Sequence, residues 1–124
     1  MPFTAFASGI PVLQAVTPVA GFALQNATPN VLTWTAPNDG QLHLVRAVAG
    51  MHITAAETGG LIQLNFTYPD ATAGNQQVIA AGNAAGTQSN TVERIVQAGS
   101  TTVLQQASAL TVGAAVLWAQ LWGA

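Results

Sequence analysis

The sequence has no cysteine and no lysine among its 124 residues. The first absence excludes a disulfide framework and any thiolate chemistry. Charge of either sign is scarce: two arginines (Arg46, Arg94) and four acids (Asp39, Glu57, Asp70, Glu93), for a net −2. A chain of this length ordinarily carries about thirty charged residues. Two arginines cannot form the basic stripe that nucleic-acid binding needs. On a monomer surface of roughly 6,200 Å², the charges are spread at about one per 1,000 Å². Repulsion between copies is therefore weak, and a free monomer so coated would self-associate. The reading adopted is that much of the surface is buried against other copies or partners; the alternative is a monomer coated with Gln, Asn and Thr. Long apolar runs are missing too. The most apolar stretch, Gly113 to Ala124, is too short for a bilayer span and contains Gln120. No basic region at Met1–Phe6 reads as a targeting signal.

What is present is apolar and β-forming. Half the residues are hydrophobic, which excludes disorder. Gly, Pro, Asn and Asp punctuate the chain every ten residues or so, and no window holds a 3.6-residue apolar period over three turns. Residues 1–19, with Pro2, Pro11 and Pro18, are expected as an extended N-terminal arm or a first edge strand. Residues 20–124 form the domain. Strands are expected at Ala20–Gln25, Val31–Thr35, Gln41–Ala49 with Met51–Ala55 continuing or following it, Leu61–Tyr68, Gln76–Ala81, Thr91–Gln97, Ser100–Gln106 and Ala114–Trp122. Pro69–Asn75 and Gly82–Asn90 are expected as loops. Ile62, Leu64, Phe66 and Tyr68 alternate toward one core face. Gln105 and Gln106 mark a polar strand end. Eight or nine strands make an all-β protein, an antiparallel jelly-roll β-sandwich of about eight strands.

The last strand is apolar on both faces. Val116, Trp118, Gln120 and Trp122 share one; Leu117, Ala119 and Leu121 share the other. One face takes the core, and the other needs another subunit to cover it. Val116, Trp118, Gln120 and Trp122 are therefore candidate oligomer-interface residues. In the arm, Phe3, Phe6, Ile10 and Val12 are candidate contacts to a neighbour.

Three segments carry a family resemblance. Thr35-Ala-Pro-Asn-Asp-Gly-Gln-Leu-His-Leu-Val resembles the strand–turn–strand signature of the tumour-necrosis-factor/C1q-like jelly rolls, including those of phage virion proteins, with Leu42 near the family's aromatic position. Val96-Gln-Ala-Gly-Ser-Thr-Thr-Val-Leu is similar to the late turn of that family, and Ala115-Val-Leu-Trp-Ala-Gln-Leu-Trp to its closing strand near the trimer axis. The similarity runs over about residues 30–122. It implies a trimer of jelly rolls that binds or assembles and does not catalyse.

Signs of chemistry are few. His43 and His52 are the only histidines, and a metal site wants three or four converging ligands. Both are read as structural or surface residues. Ser8, Ser89, Ser100 and Ser108 lack a nucleophile elbow. Asp39 and Asp70 are turn formers. Gly82-Asn-Ala-Ala-Gly86 lacks the Lys-Ser/Thr of a phosphate loop. The expectation is a non-enzyme without cofactors or metal. It is expected to be a virion structural protein, a homotrimeric capsid decoration (cement) protein held on a major capsid or other virion protein. It would be assembled in the host cytoplasm, without nucleic acid or membrane as partner. A tail- or head-fibre, lectin-like domain binding carbohydrate or a host receptor is the alternative.

Overall fold

The computed structural model describes residues 10–55, 59–81, 85–110 and 114–124. Among them are nine strands and no helix: β1 (Val12–Val16), β2 (Phe22–Ala23), β3 (Asn30–Thr35), β4 (His43–Ile53), β5 (Leu61–Thr67), β6 (Ala73–Ala80), β7 (Gly86–Val96), β8 (Thr101–Gln106) and β9 (Ala115–Gly123). They form two antiparallel sheets packed as a β-sandwich. One has the order β1-β9-β4-β7, with β2 following β1 along β9; the other has the order β3-β8-β5-β6.

Period-two alternation builds the core between the sheets. From β4, His43, Val45, Ala47, Ala49, Met51 and Ile53 point inward, and from β9, Ala115, Leu117, Ala119 and Leu121. Leu32, Ile62, Leu64, Phe66, Val78, Ile79 and Leu104 face them from the other sheet. Small alanines on the first sheet leave room for larger side chains on the second, which is how facing layers interdigitate. Each fully buried Leu or Ile contributes about 1.5–3 kcal/mol of transfer free energy. The half-buried Trp34 closes one end. Its ring lies so near Gly123 that a Cβ there would sit 2.6 Å from it.

Turn chemistry at that same end joins the two sheets. After β3, Asp39 Oδ1 accepts the Gln41 amide at 3.0 Å, and Gly40 takes φ +73°. After β7, Gly99 takes φ +76°. Its amide donates to the carbonyls of Ala36 and Pro37, both at 3.1 Å. The two turn segments singled out in the sequence are thus bonded to each other.

Several expectations change. Val12–Val16, within the stretch expected as an arm or a first edge strand, takes the second form and pairs with β9 as an edge strand of the sandwich. Phe3 and Phe6 lie outside the described residues. Tyr68 is not core: β5 ends at Thr67, and the Tyr68 ring is 41 % exposed, set edge-on against Phe66 at 4.8 Å. Gly86–Asn90, expected as loop, extends β7 along β4. Ala73–Asn75, also expected as loop, begins β6. Gln106 is fully buried rather than a polar strand end. Its amide nitrogen donates to the carbonyls of Gln25 at 2.6 Å and Ser108 at 3.1 Å, and its oxygen accepts the Gln25 amide at 2.9 Å. A buried amide is tolerated when it is bonded in this way.

Candidate functional site: an apolar sheet face

The outer face of the five-stranded sheet is assembled in rows by strand register. Leu13, Trp122, Arg46 and Glu93 form one row across β1, β9, β4 and β7. Val16, Gln120, Val48 and Thr91 form the next. Trp118, Gly50 and Ser89 follow, then Val116, His52 and Thr87. Beyond the first row, Leu44 pairs with Ile95. All four interface candidates from the last strand therefore lie on this face, and Leu117, Ala119 and Leu121 fill the core behind it.

The face is apolar and open. Val16 is 53 % exposed, Trp118 41 %, and Leu13 and Ile95 39 % each. The Trp118 indole leans over Gly21, where a Cβ would lie 3.0 Å from the ring. The segment between β1 and β2 leaves the edge of β9 in a bend and rejoins it at Phe22. Gly21 donates to the Pro18 carbonyl at 2.8 Å, and Val19 at the bend is almost fully exposed. Between this bend and the sheet runs a groove of about 410 Å³ lined by Val16, Pro18, Val19, Val48, Trp118 and Gln120. Thr17 anchors the bend: its hydroxyl oxygen accepts the Ala119 amide at 3.0 Å.

The indole N–H groups and the two charges of this face have partners within the chain. Trp118 Nε1 donates to the Val19 carbonyl at 2.9 Å. Trp122 Nε1 donates to Gln120 Oε1 at 3.0 Å. Arg46 Nε and Glu93 Oε1 form an ion pair at 2.7 Å, which cancels the charge. Over β1, β9 and β4 the face offers mainly ring faces and methyl groups, the chemistry of a protein contact surface, with the hydroxyls of Thr87, Ser89 and Thr91 along its β7 edge.

The opposite outer face differs. There Gln63 donates to Asn65 at 2.7 Å and Asn65 to Gln105 at 2.8 Å. The hydroxyls of Thr35 and Thr101 are paired at 2.8 Å. That ladder of amides and hydroxyls is polar where the first face is apolar.

The remaining candidates are dispersed. Ile10 is 83 % exposed and Val12 59 %, beside the same sheet edge. His43 is buried between the Asp39 carboxylate, 2.8 Å from Nε2, and the Ala124 carbonyl oxygen at Nδ1. The His43 bond, then the Gln41 amide, holds the Asp39 carboxyl below its ordinary value. His52 is far along β4 and exposed. Among the described residues, no three His, Asp or Glu side chains gather as for a metal ion.

Sequence reasoning missed Leu13, Val16, Leu44, Val48 and Ile95 as members of this face. The signal was present: Leu42, Leu44 and Val48 alternate with Val45, Ala47 and Ala49, so β4, like β9, is apolar on both faces. No family model matches the chain, and no similar curated protein or solved structure is found.

Proposed function

We propose that this chain is a virion structural protein, a trimeric capsid decoration (cement) subunit that stabilises a phage shell and performs no catalysis. The observation that carries the reading is the apolar outer face of the five-stranded sheet, where Leu13, Val16, Val48, Trp118 and Ile95 stand together on a chain with six charges. Burying these groups against copies of the same chain removes them from water at about 25 cal/mol per Å². The Arg46–Glu93 pair leaves no net charge to oppose the contact.

A jelly roll is the finer fold we infer. Its support is that β1 and β2 pair with β9, β3 with β8, β4 with β7, and β5 with β6. This is the pairing of one long hairpin rolled onto itself, two sheets of four principal strands each. The virion setting rests on the resemblance and on the lysine-free composition.

The test is solution mass by light scattering after size exclusion, for the chain and for Trp118→Arg. The reading requires a mass of three chains or a multiple of three, an association constant at least tenfold lower for the substituted chain, and co-sedimentation of the assembled protein with phage shells. A monodisperse monomer at micromolar concentration overturns it.

A further inference from the structure

The sandwich has four principal edge strands, and three of them are blunted. β1 has five residues, a register shift between Leu13 and Ala15, and Pro11 and Pro18 close outside its ends. β3 has six, with a shift between Asn30 and Leu32 and Pro29 just before it. β6 is irregular where it pairs with β5 between Ile62 and Gln63. Its edge is engaged by β7 side chains: Asn90 Nδ2 donates to the Val78 carbonyl at 2.8 Å, and Arg94 donates to the Gln76 amide oxygen. Short strands, bulges, prolines and charges are the devices that stop a sheet edge from pairing with another chain.

β7 has none of these over its first half. It is eleven residues long and pairs with β4 from His43↔Val96 to Ile53↔Gly86 without a shift. From Gly86 to Val92 it holds no charge and no proline. All the residues from Gly86 to Thr91 are exposed. Among the described residues, no strand pairs with its outer side. The side chains of Thr87, Ser89 and Thr91 stand on the outer face, in register with His52, Gly50 and Val48.

We propose that Gly86–Val92 is a docking edge for the same segment of a second copy, pairing antiparallel about a twofold axis so that the five-stranded sheets of two copies become continuous. The segment is self-complementary for this. Every free backbone donor on one strand meets an acceptor on the other. Hydroxyls from Thr87, Ser89 and Thr91 pair across the junction with their like. With no charge in the segment, identical copies meet without repulsion. This contact is made by a different element from the apolar face and does not rest on the reading of that face. If both form, a twofold contact added to a threefold one generates an extended or closed assembly.

The absence of cysteine makes the test direct. Single variants Thr87→Cys, Ser89→Cys and Thr91→Cys are oxidised in the otherwise intact chain, with Thr101→Cys on the other sheet as an exposed control. A residue on the twofold axis brings its own copies within the 4.4–6.8 Å Cα separation a disulfide needs. We expect one of the three to give at least ten times the disulfide dimer of the control. Ser89→Lys, tested separately, should lower the association constant of the edge contact at least tenfold at unchanged circular dichroism. To keep the two contacts distinct, cross-linking is repeated in the Trp118→Arg background, where it should persist. Dimer yields at all three positions equal to the control, in chains that retain their β signature, overturn the proposal.

Discussion

His43 and Asp39 are joined by a 2.8 Å bond between imidazole Nε2 and carboxylate Oδ1, although the imidazole is 1 % exposed and the carboxylate projects from a turn. The second ring nitrogen meets the Ala124 carbonyl oxygen, and Trp34 lies edge-on to the ring at 6.2 Å. One side chain thereby ties the β3–β4 turn to the end of β9.

This tie makes stability depend on acid. The Asp39 carboxyl is held below its ordinary 3.8 first by the His43 bond, then by the Gln41 amide. Asp70 is held low by the Thr72 hydroxyl and amide. A carboxyl with a depressed folded-state pKa binds protons more readily unfolded. Its stabilisation is complete above the ordinary value and is lost as pH falls through the folded-state value. Melting temperatures measured from neutral pH to about pH 2 should therefore fall below about pH 4. Asp39→Asn and Asp70→Asn should each flatten that fall; equal slopes with and without Asp39 would remove it from the account.

Gln106 is a second buried polar tie. Replacing it by leucine keeps the volume but leaves the Gln25 amide and carbonyl and the Ser108 carbonyl without this partner. The two carbonyls keep the Leu110 and Gly60 amides, at 3.0 and 3.3 Å, so the Gln25 amide is the group left stranded, at about 1–3 kcal/mol. Gln106→Leu is expected to lose about 2 kcal/mol in urea unfolding; a loss under about 1 kcal/mol would mean that water reaches the Gln25 amide.

Two backbone positions with positive φ should respond with opposite sign. Gly21 has φ +87°, and a Cβ there would lie 2.3 Å from Val116 and 3.0 Å from the Trp118 ring. Gly21→Ala should cost about 2 kcal/mol and shift the tryptophan fluorescence as the indole moves. Ala71 has φ +71° without being glycine. Ala71→Gly relieves that conformation and should raise stability by up to about 1 kcal/mol. Both are read from denaturant midpoints.

The Arg46–Glu93 pair distinguishes an open face from a covered one. Both side chains are more than a third exposed in the single chain. A double-mutant cycle to alanine on dilute, dissociated protein should give a coupling below about 1 kcal/mol. The same cycle on the assembled protein should give a larger one, because a covered pair is no longer screened by water. Equal couplings in the two states would place the pair outside any contact.

Much of the strand plan was legible in the sequence because period two and turn residues are local properties. The alternation of Ile62, Leu64 and Phe66 and the Pro37–Gly40 turn each depend only on neighbours. Tyr68 was misplaced because alternation does not say where pairing stops. The start of β7 was missed because Gly86, Gln88, Ser89 and Asn90, around the one strand-former Thr87, have weak strand preference of their own. Pairing with Met51–Ile53, far away in the chain, holds them extended.

Composition and local pattern by themselves determined that the chain is all-β, free of disulfides and poor in charge, and that its last strand is apolar on both sides. Only the tertiary structure decided which side is which. Leu117, Ala119 and Leu121 go inward, and Trp118 and Trp122 outward, because β9 lies between β1 and β4 in a sheet whose inner face must match the bulk of Ile62, Leu64 and Leu104 opposite. The inward-facing small residues of β4 and β9 admit those side chains at native packing density, and two indoles in their place would not fit.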